Sequence, residues 1–283
     1  MDYGLARLVF GSPIFVPITE LEYFDIRQRR EILLEALFIE EKFDLVVDNY
    51  LEFETDLLNS CAREMVRGVQ NWATFQEERN QINRRVVNLL SACRLYLDHT
   101  RHHLGNIGDS ATAITEIIKT SISAQYDGSL GYRVMDALRN YVQHRGYPIH
   151  SVTFNASWND DRSKLIYAIT PYLIIARLEE DGKFKSSVLE ELKQQGDKVD
   201  IKPMIREYID GLGKIHNEIR RQLKCLVDES DKTIRDAIEL YRKDYPTDDS
   251  VVGLAAVKRN DRTYSEPPRI YRRQFSFESG SLA

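Results

Sequence analysis

Residues 31–65, EILLEALFIEEKFDLVVDNYLEFETDLLNSCAREM, contain no proline and no glycine. Apolar side chains recur there at Phe43, Val46, Val47, Tyr50, Leu57, Leu58, Cys61 and Met65, mostly in steps of three and four. That is the period of an α-helix with one buried face, so the stretch predicts a long amphipathic helix and a mainly α fold.

The pattern continues on the C-terminal side. A second helix is expected from about Phe75 to His103, with Ile82, Val86, Leu89, Leu90, Cys93 and Leu97 on its apolar face and Gly105 and Gly108 ending it. Asp109-Ser110 reads as the cap of a third helix running to about Ala124, and Asp127-Gly128-Ser129 as a turn and a fresh N-cap. The fourth helix starts near Ser129 and stops at Arg145-Gly146-Tyr147-Pro148. The period then changes. Ser151–Trp158 and Lys164–Arg177 are rich in β-branched and aromatic residues and are separated by Asn159-Asp160-Asp161, which predicts a β-hairpin. Helical spacing returns near Ser187–Gln195 and from Pro203 to about Tyr245. Residues 1–19, with Pro13 and Pro17 around Ile14-Phe15-Val16, read as irregular or strand-like. The expected organisation is a set of four helices within 1–150, a small β-hairpin insertion with a C-terminal helical extension over 151–245, and an irregular basic and aromatic tail over 246–283.

Composition narrows the function. The chain has 283 residues, 39 Lys+Arg and 44 Asp+Glu, a formal net charge of −5, and 42% hydrophobic residues. Net acidity argues against unselective coating of nucleic acid or anionic membrane, both of which are polyanions. The charge is uneven, however: residues 20–60 hold 12 acidic and 4 basic groups, whereas 61–103 hold 7 basic and 4 acidic. Residues 129–150 hold three arginines against Asp136 alone. Cys61, Cys93 and Cys225 are far apart with no C-x-x-C pair, and no signal peptide or membrane span is legible, so a reduced, cytoplasmic protein is expected.

Phosphate-loop, dinucleotide, H-E-x-x-H, Glu-x-x-His and G-x-S-x-G patterns are all missing, and no cofactor is expected. Two histidine clusters remain. In Asp98-His99-Thr100-Arg101-His102-His103 the i, i+3/i+4 spacing suits one metal ion, but Arg101 opposes it. Cations at a helix C-terminus need no metal, so none is assigned. In Arg139-Asn140-Tyr141-Val142-Gln143-His144 the Asn and His share a helical face, and the long Arg side chain is expected to reach the same cleft. A permanently charged guanidinium beside an imidazole suits phosphodiester chemistry: the first neutralises transition-state charge, the second moves protons. The same Arg–His spacing recurs at Arg94…His99 and Arg145…His150. Only the Arg139 copy lies wholly within a predicted helix with Asn directly after the Arg.

On these residues the chain resembles the HEPN superfamily, whose ribonuclease motif is Arg, a polar residue that is often Asn, three variable residues and His. Arg139-Asn140-Tyr141-Val142-Gln143-His144 matches it in full, and the resemblance covers about residues 30–150. It implies a small antiparallel helical bundle and a metal-independent endoribonuclease acting as a homodimer. It implies that His144 works as base on the ribose 2′-OH or as acid on the 5′-oxygen. Arg139 would hold the scissile phosphate, Asn140 would orient His144 or the phosphate, and the products would be 2′,3′-cyclic phosphate and 5′-hydroxyl ends. Many members are toxins or phage-defence effectors, so a cognate antitoxin or defence-system protein is an implied partner. Toxins controlled by a nucleotidyltransferase antitoxin often carry Tyr two residues after the His. Tyr147 stands one residue too far, so control of that kind is not implied here. Inert members serve as binding modules, which is the alternative function.

Arg133, Tyr141, Arg145 and His150 are further candidates for RNA contact, and His216 reads as a structural histidine. The tail, with Lys258, Arg259, Arg262, Tyr264, Arg269, Tyr271, Arg272, Arg273 and Phe275, suits either single-stranded RNA or a strap over an acidic face, the strap being preferred.

Overall fold

The computed structural model describes residues 2–8, 15–68, 72–108, 110–180, 182–246, 251–260 and 263–264. The elements in order are β1 (Asp2–Arg7), β2 (Phe15–Ile18), α1 (Glu20–Arg67), α2 (Trp72–Gly105), α3 (Ala111–Gly128) and α4 (Leu130–His144). They are followed by β3 (Ser151–Trp158), β4 (Leu165–Ile174), α5 (Ile175–Glu180), α6 (Ser186–Lys193), β5 (Lys198–Asp200), α7 (Ile201–Asp244), β6 (Leu254–Asn260) and β7 (Thr263–Tyr264). The fold is mainly α with small antiparallel sheets, and no described helix is long and apolar enough to cross a membrane. Two compact units emerge: Met1–Phe38 with His103–Thr112 and Arg220–Ala283, and Ile39–His102 with Ala113–Ile219.

In the first unit the sheet order is β2-β1-β6-β7. Alternation sorts its side chains: Leu5, Val16, Leu254 and Ala256 pack with Tyr23 and Ile26 of α1 and with Ile234, Ile238 and Tyr241 of α7. Ala6, Ala255 and Val257 form a second buried cluster with Leu8 and Phe15 packed on it. Helix α1 begins earlier than its apolar period suggests because Thr19 and Glu22 make a capping box. The Glu22 N–H donates to Thr19 Oγ1 at 3.2 Å, and the Thr19 N–H donates to Glu22 Oε2 at 2.7 Å. Residues 254–260, expected as irregular tail, instead form β6. Its short apolar run pairs Leu5 with Ala256 and Arg7 with Leu254, a partner far off in sequence that periodicity does not reveal. Asp109 and residues 265–283, on which a helix cap and most of the tail reading rest, lie outside the described residues.

The second unit carries the candidate motif. Polar contacts between α1 and α2 link Arg63 with Glu78 and Asp56 with Arg85, a descending register that makes the two helices antiparallel. Contacts between α1 and α7 descend in the same way, from Glu54 with Arg206 to Glu40 with His216. His216 is buried, stacked on Phe43 at 3.8 Å between ring centroids and hydrogen-bonded to Tyr96 at 3.1 Å, as a satisfied core histidine should be. The hairpin β3-β4 forms as expected, with Trp158 opposite Leu165, and β5 adds a third strand along Tyr172–Ile174. The second strand stops at Ile174. Residues 175–177, expected to continue it, instead open α5, in which Ile175 and Leu178 are buried.

Candidate functional site

Helix α4 is fixed at both ends. Ser129 is its N-cap: Ser129 Oγ accepts the Tyr132 N–H at 3.0 Å and donates to Glu207 Oε2 at 3.0 Å. Glu207 also accepts the Gly131 N–H at 2.9 Å, so one carboxylate of α7 engages both the cap and the first turn. Tyr132, Val134, Met135, Ala137 and Leu138 are buried. Arg145 is the C-cap, Gly146 and Tyr147 follow, and Pro148 and Ile149 are buried again. Asn83 of α2 holds that return, donating to Ile149 O at 3.0 Å and accepting the Ile149 N–H at 2.8 Å.

Asn140 and His144, one turn apart, line the same pocket of about 200 Å³. Asp136, Ala137, Tyr141 and Arg145 complete the α4 side, and Lys183, Phe184 and Lys185 form the opposite side. The lining therefore carries three permanent cations against one carboxylate. Phe184 is only 7% exposed and meets Tyr141 edge-on, whereas Lys183 and Lys185 are exposed. The Lys185 ammonium donates to the Tyr126 hydroxyl and lies 4.7 Å over that ring. The Tyr126 hydrogen bond, with Asp136 nearby, raises its pKa further.

Arg139 does not line this pocket. Five residues on a helix turn through about 140° relative to the starting direction, so Arg139 and His144 leave α4 on different sides. The Arg139 side chain is 18% exposed, its Nη2 is 4.0 Å from Asp136 Oδ1, and its buried Nε has no hydrogen-bond partner among the described residues. The expectation that its length brings it into the cleft beside His144 is not met.

The other sequence candidates separate in the same way. Tyr141 and Arg145 belong to the pocket. Arg133 is committed elsewhere: its fork grips Glu191 at 2.6 and 3.2 Å, while Nη1 donates to the carbonyls of Tyr126 and Asp127. His150 sits behind the helix end. Its Nδ1 accepts the Ile174 N–H at 3.0 Å, and burial, reinforced by Arg177 and Arg79, pushes its pKa down to about 4. In the first histidine cluster Asp98 pairs with Arg94 and His103 with Glu35, each at 2.6 Å. No group of three metal-ligating side chains occurs among the described residues. Cys93 is fully buried, which raises its thiol pKa and keeps it from acting as a thiolate.

Lys183, Phe184 and Lys185 form the pocket segment that sequence reasoning missed. The one signal was the alternation Lys183-Phe184-Lys185, an apolar residue between two cations just before a short helix. Comparisons with protein-family models, curated proteins and solved structures find no match to this chain.

Proposed function

We propose that the second unit is a HEPN-like ribonuclease module that cleaves RNA at the α4 pocket. The observation that supports this reading is that Asn140 and His144 line one small pocket together with Lys183, Lys185 and Arg145. A volume of about 200 Å³ is below the usual range of roughly 300–1,000 Å³ for small-molecule sites. It suits a phosphate and its adjoining ribose rather than a whole nucleotide, and the lining cations suit an anion.

In the proposed reaction neutral His144 accepts the proton of the ribose 2′-OH as the 2′-oxygen attacks phosphorus. The bond from phosphorus to the 5′-oxygen breaks, leaving a 2′,3′-cyclic phosphate. The leaving oxygen takes a proton and becomes a 5′-hydroxyl, so the step is balanced without oxidant or reductant. Asn140, one turn before His144, orients the imidazole or the phosphate. In the homodimer that the HEPN resemblance implies, the partner's His144 supplies the proton to the leaving oxygen. Cleavage of this kind fits a toxin or phage-defence effector.

A second reading is favoured by one observation, the turning of Arg139 out of the pocket. A module that binds a phosphate without cutting it has no need of that guanidinium at the site.

The test is incubation of purified protein with RNA in EDTA, comparing wild type with His144→Ala. Cleavage by wild type and a loss of about 10²–10⁴-fold in the variant are expected for removal of a general base. Intact RNA with both proteins, or cleavage undiminished by the substitution, defeats the reading. Growth arrest on expression, relieved by His144→Ala, would separate an effector from a binding module.

A further inference from the structure

We infer that the scissile phosphate is held by Lys183 and Lys185, on the segment between α5 and α6, and not by the arginine of the helical motif. This inference rests on the ribonuclease reading for the identity of the phosphate, but the anion seat itself stands on separate observations. Both lysines line the pocket with His144, and Arg139 does not. Phe184 anchors the segment: it is buried, and its ring meets Tyr141 of α4 at 6.2 Å between centroids. That contact brings Lys183 and Lys185 into the same lining as Asn140 and His144, with the Lys185 ammonium resting on the Tyr126 hydroxyl. The segment's far end is fixed as well, because Lys185 is the N-cap residue of α6 and its carbonyl accepts the N–H of Val188 at 3.1 Å.

An ammonium is a compact charge with three donors and needs no fixed fork to hold a phosphate oxygen. Two of them beside Arg145, with Lys185 exchanging its Tyr126 hydroxyl for a phosphate oxygen, supply the neutralisation that a phosphorane-like transition state requires. Asp136 is the opposing charge in the lining, and its repulsion favours a seat toward Lys183 and Arg145. The guanidinium of Arg139 is 4.0 Å from Asp136, which makes it a partner of that carboxylate from outside the pocket. The chemical class recognised is thus a phosphodiester or a phosphate monoester.

The experiment measures two things on the full chain: binding of inorganic phosphate and adenosine 3′-monophosphate by calorimetry, and RNA cleavage in EDTA. The variants are Lys183→Ala, Lys185→Ala, the double variant and Lys183→Arg, with folding checked by circular dichroism. Each alanine substitution is expected to weaken phosphate binding on the order of tenfold and to raise KM for RNA, since each removes a charge-assisted hydrogen bond. Lys183→Arg should retain most of the binding. If wild type cleaves RNA and the double variant binds phosphate and cleaves like wild type, the lysine seat is wrong and the ribonuclease reading stands. If phosphate binding depends on the lysines but wild type leaves RNA intact, the seat stands and the ribonuclease reading falls. If neither phosphate binding nor cleavage is observed, both fall.

Discussion

Phe184 meets Tyr141 edge-on, with ring centroids 6.2 Å apart and ring planes inclined at 70°. Through this contact a segment outside the helical motif becomes one wall of the motif's pocket. Phe184→Ala removes a buried ring, a change that typically costs about 3–5 kcal/mol where the site cannot collapse. Attachment by one short segment places the expected loss near the lower end of that range. The urea midpoint should fall, and phosphate binding should weaken even where the variant remains folded, because both lysines lose their anchor. Unchanged phosphate affinity in a folded Phe184→Ala variant would show that the segment holds its place without the ring.

Asp136 gives a prediction of opposite sign. It contributes the one carboxylate of the pocket lining, and an anion entering the pocket must overcome its repulsion. Asp136→Asn should therefore tighten phosphate binding severalfold, an effect that fades as added salt screens the charge. Calorimetry at two salt concentrations measures this. Weaker binding in the variant would mean that Asp136 works by orienting the cations.

Gly131 tests the first turn of α4. Alanine is favoured over glycine in a helix by about 1 kcal/mol, so Gly131→Ala would ordinarily stabilise. A methyl group here would meet Glu207 Cβ at 2.6 Å and the Met204 carbonyl oxygen at 2.8 Å. Backbone cannot yield as a side-chain tip can, and Glu207 is also the partner of Ser129 and of the Gly131 N–H. Net destabilisation of about 1–3 kcal/mol is expected, read from the urea midpoint. A gain in stability would contradict the close approach of α7.

His150 makes the stability of the second unit depend on pH. The folded imidazole stays neutral down to about pH 4, whereas the unfolded chain takes up a proton near pH 6.5. Between those values the unfolded state binds more protons, so the contribution is complete above pH 6.5 and is lost as the pH falls toward 4. In His150→Asn an amide oxygen replaces the Nδ1 acceptor for the Ile174 N–H and does not titrate. Thermal melts of that variant should decline less than those of wild type between pH 6.5 and 4.5. Parallel declines would assign the acid sensitivity to other groups.

Most of the helices were legible because burial leaves a period in the sequence. Phe43, Val46, Leu57 and Cys93 occupy their expected faces, and Ser129 caps α4 as its position before Leu130 suggests. Strand β6 was not legible, since Leu254-Ala255-Ala256-Val257 is buried on both faces and lacks the alternation of a one-sided strand. The pocket was half legible. Asn140 and His144 follow from helical arithmetic, and the same arithmetic, applied to Arg139, gives the angle that carries it away. Lys183 and Lys185 depend on where Phe184 docks, a tertiary choice that the local Lys-Phe-Lys alternation does not fix.

Cleavage of an RNA carrying one 2′-deoxy nucleotide on the 5′ side of a mapped cut, measured in EDTA beside the all-ribose RNA, is the most direct measurement. Attack by the 2′-oxygen with His144 as base requires the all-ribose strand to be cut to a 2′,3′-cyclic phosphate and a 5′-hydroxyl. The deoxy strand should stay intact at that bond, and His144→Ala should slow cutting of the all-ribose strand by about 10²–10⁴-fold. Cutting of the deoxy strand at an undiminished rate, or of the all-ribose strand by His144→Ala at the wild-type rate, would contradict the proposed use of the α4 pocket.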